Sequence, residues 1–204
     1  NILYEDAFLI AAFKPPFLLV HDDGNSKDTL QARINGYLQL NGNKYPAQAI
    51  HRIDYETSGL VLFCKHPFFQ AYCDKSMEEH HIKKDYIALV QGHTNYKNKK
   101  IVSNIARDRH NAKKMIIHPN GKESISIFNT LKNYKDYSLI QVTILTGRKH
   151  QIRVQCASLN HPILNDSLYG GKRIDNTGLL LQSHHIQFND IDITCPQEKR
   201  FIRK

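Results

Sequence analysis

The polar run His51-Arg52-Ile53-Asp54-Tyr55-Glu56-Thr57-Ser58 leads directly into Gly59-Leu60-Val61-Leu62-Phe63-Cys64, and this junction constrains the fold more than any other stretch of the chain. A short, unbroken apolar run next to polar residues reads as a buried strand. A loop that ends on such a strand is held rigidly at that end, which is where reactive side chains are usually carried. Asp54 then stands just before the strand, among basic and hydroxyl groups. Taken alone, the string also reads as a solvated turn in which Asp54, Thr57 and Ser58 cap backbone amides.

The rest of the chain alternates helical and extended signals without repeats or low-complexity linkers. Leu30, Ile34, Tyr37 and Leu38 have helical spacing after Asp28 as a cap, and outweigh the hairpin signal of Asn35-Gly36. Pro67 suits a first helical turn, so a second helix is expected from Pro67 to about His80, ahead of a strand at Lys83-Lys84-Asp85-Tyr86. Extended runs follow at Ile101-Val102, Met115–Ile117, Ile125–Phe128 and Leu139–Leu145, with His118-Pro119-Asn120-Gly121 as a turn between two of them. A third helix is expected from Arg148 to about Leu159, and final strands at Leu179–Leu181 and Ile186–Phe188. The class is α+β, with hairpins in a mixed, largely antiparallel sheet flanked by helices.

Arg148, Lys149 and His150 would fill the first turn of that third helix, where the helix dipole disfavours each cation by up to ~1 kcal/mol. A facing carboxylate would offset this, and so would RNA phosphates. The alternative is a helix that begins a few residues later, with the basic residues in a loop.

At 204 residues, 41% hydrophobic and 23% charged, the chain is read as one globular domain. The 28 Lys and Arg against 19 Asp and Glu give a net charge of +9, which favours polyanionic partners. Lys97-Asn98-Lys99-Lys100, Arg107-Asp108-Arg109-His110 with Lys113-Lys114, and Gly171-Lys172-Arg173 are candidate phosphate contacts or solvated faces, and Lys199–Lys204 reads as a tail. No run approaches a membrane span and Asn1–Asp6 lacks the pattern of a signal peptide, so a cytoplasmic monomer is expected, with no membrane partner. Cys64, Cys73, Cys156 and Cys195 form no C-x-x-C pair and are expected to be reduced and mostly buried, with no metal site.

The string His51–Gly59 resembles the HRLDxxTSG signature of the RluA branch of the RNA pseudouridine synthases. Lys14-Pro15-Pro16-Phe17-Leu18-Leu19-Val20-His21 resembles the family's K-P-x-G-L-L-V-H opening, and Lys84–Gly92 its K-x-Y-x-A-x-V-x-G strand. Leu145–Val154 resembles the L-x-T-G-R-x-H-Q-I-R-V segment, and His161–Gly170 the H-P-I-x-G-D-x-x-Y-G segment that follows. The order is the family's order, over most of the chain. Phe17 and Asn165 stand where the family usually has Gly, Gln155 where a His is common, and Gln182 where L-H-A is common. Because the chain starts at Asn1, the full protein is expected to have room for the upstream RNA-binding domain that some family members carry.

The resemblance implies the family's bent central sheet and an isomerisation that needs no cofactor. Asp54, Tyr86 and Arg148 match the family's catalytic positions. Asp54 would begin the reaction by attacking the substrate or by assisting deprotonation at the sugar. Arg148 would keep that carboxylate ionised in a water-poor pocket, and Tyr86 would stack on the base and serve proton transfer. Arg52 matches the arginine that takes part in flipping the uridine out of its stack. His51 and Thr57 would shape the loop; His150, Gln151 and Arg153 would support the pocket or bind RNA backbone, and Ile152 would pack on the nucleotide. The implied partner is ribosomal or transfer RNA.

Two other classes compete. A basic RNA-binding module without catalysis accounts for the charge but does not require Asp54, Tyr86 and Arg148 together. A hydrolase using Asp54 with His51 or His150 would release free uracil.

Overall fold

The run Leu60–Phe63 is apolar without alternation because the strand that contains it is covered on both faces. The computed structural model describes residues 1–202, and their contacts group into two compact units: Asn1–Ile82 with Ser183–Pro196, and Lys83–Gln182 with the segment from Gln197.

In the first unit, β1 (Ile2–Glu5), β2 (Leu9–Lys14), β4 (Ser58–Cys64) and most of β10 (Leu181–Phe188) lie side by side in that order. The short β3 (Gln48–Ala49) also pairs with β4, and β11 (Ile191–Thr194) pairs with β10. Alternate residues of β2 and β4 divide between two cores. Ile10, Ala12, Val61 and Phe63 pack on Leu30, Ile34 and Leu38 of helix α1 (Leu30–Leu40). Leu9, Ala11, Leu60, Leu62 and Cys64 pack with Cys73 of α2 (Pro67–Glu78). Each buried Leu, Ile or Phe contributes roughly 1.5–3 kcal/mol.

Both expected helices are present, α2 with Pro67 in its first turn. The α1 cap is Thr29, not Asp28: the Thr29 side chain accepts from Ala32 N at 3.1 Å, while Asp28 takes a two-pronged contact from Arg33. Asn35-Gly36 lies inside the helix.

In the second unit, β5 (Lys83–Gln91), β9 (Tyr137–Ile144), β8 (Lys122–Asn133), β6 (Lys99–Arg107) and β7 (Met115–Ile117) follow in that spatial order, each pair antiparallel. The turn at 118–121 is closed by Gly121 N on the His118 carbonyl, yet the strands it joins do not pair, because β6 lies between them. Helix α3 spans Gln151–Ser158, and its Gln155 amide donates to the hydroxyls of Ser103 and Ser124.

The class is α+β, as expected. Leu179 and Leu180 precede β10 as irregular chain, and this one strand covers what reads as two. Lys199–Phe201 forms a single helical turn with Phe201 buried in the core beside Leu89 and Leu180, so this stretch is not a loose tail; Arg203 and Lys204 lie outside the described residues. All four cysteines are free and buried. No helix among the described residues is long and apolar enough to cross a membrane.

Candidate active site

Asp54 sits half-buried in the loop between β3 and β4, four residues before the buried strand begins. Its carbonyl accepts from Thr57 N at 3.1 Å, which closes a tight turn. The next carbonyl, that of Tyr55, is held from two sides, by Phe17 N at 2.8 Å and by the Lys14 ammonium at 3.1 Å. Lys14 is 0% exposed, and its Nζ also donates to the Leu18 and Pro15 carbonyls, at 2.7 and 2.9 Å. A buried ammonium is tolerable only when its three donors are engaged. Here they engage backbone on both sides of residues 16–17 and in the Asp54 loop, so one cation fixes two segments.

His51 anchors the loop's other end: buried, its Nε2 accepts from Leu62 N at 3.2 Å within β4. Thr57 is buried too, and its hydroxyl has no hydrogen-bond partner among the described residues. Gly59 follows at φ 114°, where a Cβ would lie 2.1 Å from the Ser183 carbonyl oxygen. No other residue fits there. Arg52 is exposed, and donates from Nη1 to His21 Nε2 at 3.0 Å. Of these three, His51 and Thr57 are buried and Arg52 faces solvent.

In the second unit, Tyr86 is buried on β5 opposite Val142, which in turn is opposite Phe128. One step along the same face come Lys84, Ile144 and Ser126. The Gln151 amide donates to the Ser126 hydroxyl at 2.8 Å, so the start of α3 lies over the face that carries Tyr86. Burial lowers the pKa of Lys84 from its ordinary 10.5 to about 8.

Arg148, Lys149 and His150 do not occupy a first helical turn. Helix α3 begins at Gln151, and His150 precedes it in a left-handed conformation at φ 55°, so these three residues stand before the first turn rather than in it. Gln151 holds this bend: its oxygen accepts from Arg148 N at 3.0 Å and from the Thr146 hydroxyl at 2.9 Å, and its nitrogen donates to the Ile125 carbonyl at 3.0 Å. With the Ser126 bond, both lone pairs and both protons of the amide are engaged within the protein. Ile152 is buried. Arg153 is buried and forks onto Asp166 with two 2.8 Å bonds. Gln151 and Arg153 thus both spend side-chain donors on bonds within the protein. Arg148 is exposed, and Nε donates to the Glu123 carbonyl at 2.9 Å.

Three further residues, to which the sequence motifs assign no role, hold these segments in place. Lys14 clamps the Asp54 loop. Asp166 neutralises Arg153. Tyr169 gathers its neighbours: its hydroxyl accepts from Met115 N and bonds His150 Nδ1, both at 2.8 Å, and Arg153 lies 5.1 Å over its ring. The signal for Asp166 and Tyr169 was their place in the N-D-S-L-Y-G string. Asn165, at φ 67°, uses the left-handed tolerance that Asn shares with Gly, which accounts for that departure.

Comparison with known proteins identifies the family. Residues 9–158 match the family model described as RNA pseudouridylate synthase. The chain is 37% identical over 175 residues to an uncharacterized RNA pseudouridine synthase, YhcT, of Bacillus subtilis (strain 168), covering 84% of this chain and 58% of that protein. It is 32% identical to ribosomal large subunit pseudouridine synthase D of Borreliella burgdorferi, covering 98% of this chain and 64% of the relative. The chain thus spans about three fifths of the length of these relatives. Among solved structures, human RNA pseudouridylate synthase domain containing 1 superposes with a TM-score of 0.81 at 22% identity, over 97% of this chain and 83% of that one. The fold, the ordered motifs and the family match agree: the chain belongs to the RNA pseudouridylate synthase family, in its RluA branch.

Proposed function

We propose that this chain isomerises specific uridines of RNA to pseudouridine, with ribosomal RNA as the first substrate to test and transfer RNA as the second. The observation that carries the reading is the doubly held loop around Asp54, in which Lys14 and His51 fix the backbone on either side of one half-buried carboxylate. Such pinning places a reacting group within the tolerance that catalysis demands. The Borreliella burgdorferi relative, named ribosomal large subunit pseudouridine synthase D, supports the choice of substrate. Acting on ribosomal RNA, the protein would work in the cytoplasm, as a monomer.

The reaction breaks the bond from ribose C1′ to N1, turns the base while it is retained, and forms a bond from C1′ to C5. The proton leaving C5 balances the one that N1 gains, so nothing is oxidised or hydrolysed. Asp54 starts the sequence, by attack on the ribose or by assisting its deprotonation. Arg148 supplies the cation that keeps Asp54 ionised. Of the two arginines in this segment, Arg153 is neutralised by Asp166, whereas among the described residues Arg148 uses only Nε on a carbonyl and keeps its terminal N–H groups for a carboxylate. Tyr86 stacks on the base and serves the proton transfer at C5. Arg52, the exposed cation of the Asp54 loop, takes the gap left by the flipped uridine or its phosphate.

The test uses a ribosomal RNA transcript carrying tritium at uridine C5. Isomerisation releases tritium without free uracil, and this is the expected result. Free uracil would mean a hydrolase, and intact label with bound RNA would mean a non-catalytic RNA-binding module.

A further inference from the structure

Phe17 is held at φ 63°, a conformation that a bulky side chain adopts only under constraint. Its neighbours supply the constraint: Phe17 N donates to the Tyr55 carbonyl at 2.8 Å, and Lys14 grips the carbonyls of Pro15 and Leu18 on either side. Burial does not repay the strain, since Phe17 is 47% exposed. Its ring meets that of Tyr55, itself 50% exposed, edge to face with centroids 5.9 Å apart. Folding alone would favour the glycine that the K-P-x-G string carries at this position. Strained residues held in place by their surroundings cluster at ligand-contact sites, and Tyr55 directly follows Asp54.

We propose that Phe17 and Tyr55 form a stacking platform for an unpaired RNA base next to the target uridine, making Phe17 a determinant of substrate choice particular to this chain. The proposal rests on the pseudouridine synthase reading for the position of that uridine. Edge-to-face packing leaves a ring face of the pair uncovered, and any base can stack on it. Arg52 and His21, hydrogen-bonded to each other at 3.0 Å in the same loop region, supply donors for the adjoining phosphate. The net charge of +9 favours RNA over an apolar protein surface as the occupant.

The experiment measures binding of a short fluorescein-labelled single-stranded oligouridine to the whole chain by anisotropy, across a salt series. Phe17→Gly is expected to weaken binding about 5- to 100-fold. The log-salt slope should stay unchanged, since a stack neutralises no phosphate. The melting temperature should not fall, since strain is relieved. Phe17→Tyr should keep affinity within about twofold, and Phe17→Leu should lose it as Phe17→Gly does. Binding of Phe17→Gly within about twofold of the parent overturns the platform, as does an equal loss in Phe17→Tyr. A dimer in sedimentation that Phe17→Gly dissolves also overturns it, since the face would then join copies of this chain. The tritium assay on the unaltered protein separates the two readings. Weaker binding by Phe17→Gly without any pseudouridine formation by the parent leaves the platform standing and removes the enzyme; the reverse pattern removes only the platform.

Discussion

The Lys14 ammonium donates to the Tyr55 carbonyl at 3.1 Å, 41 residues away in sequence and one residue beyond Asp54. Replacing it by Met leaves three carbonyls, one buried and two partly buried, without their charged donor. Hydrogen bonds to charged groups contribute about 1.5–3 kcal/mol each, partly offset by no longer burying the ammonium, so Lys14→Met should lose about 2–4 kcal/mol in urea unfolding. Turnover should fall about 100-fold, more than RNA affinity does, because the loop carrying Asp54 loses its fixed position. Unchanged stability together with unchanged turnover would show that Lys14 does not hold the loop.

Asp166 predicts a sharper effect on stability. Asp166→Ala strands the Arg153 charge in a buried site, at a cost of about 3–5 kcal/mol. Replacing both residues by apolar ones, Arg153→Met with Asp166→Leu, should recover most of that loss. A double variant as unstable as Asp166→Ala would mean that the pair itself, rather than the stranded charge, sets the energy.

Lys84 gives a pH signature. Its folded pKa is lowered to about 8 from 10.5, so between these values the unfolded chain binds more protons than the folded one and stability rises with pH. The penalty is full below pH 8 and gone above 10.5. Relative to Lys84→Met, which lacks the titrating group, the parent should therefore gain up to ~3 kcal/mol of stability as pH climbs through that window. Parallel stability curves for the two proteins would contradict it.

Much of this arrangement was legible in the sequence because it is local. Pro67 marks where α2 starts, and Leu60–Phe63 marks the doubly buried strand. Of the two starts open for α3, the later one holds, because the Gln151 amide, bonded back to Arg148 and Thr146, keeps the basic residues in a bend before the helix, and sequence periodicity cannot register side-chain bonds to backbone. Thr29 displaces Asp28 as cap because Arg33 draws Asp28 outward. Lys14, Asp166 and Tyr169 were visible as letters of a string, but their partners come from distant segments. The strain at Phe17 had one trace, a phenylalanine where the resembling strings carry glycine.

The most direct test of the central claim is turnover by Asp54→Asn on the tritiated ribosomal transcript. The amide keeps the shape of the side chain and removes its charge, so fold and RNA affinity should persist while tritium release falls by more than about a hundredfold, a barrier increase above ~3 kcal/mol. Retention of more than about a hundredth of the parent's turnover would contradict the assignment of Asp54 as the group that starts the reaction.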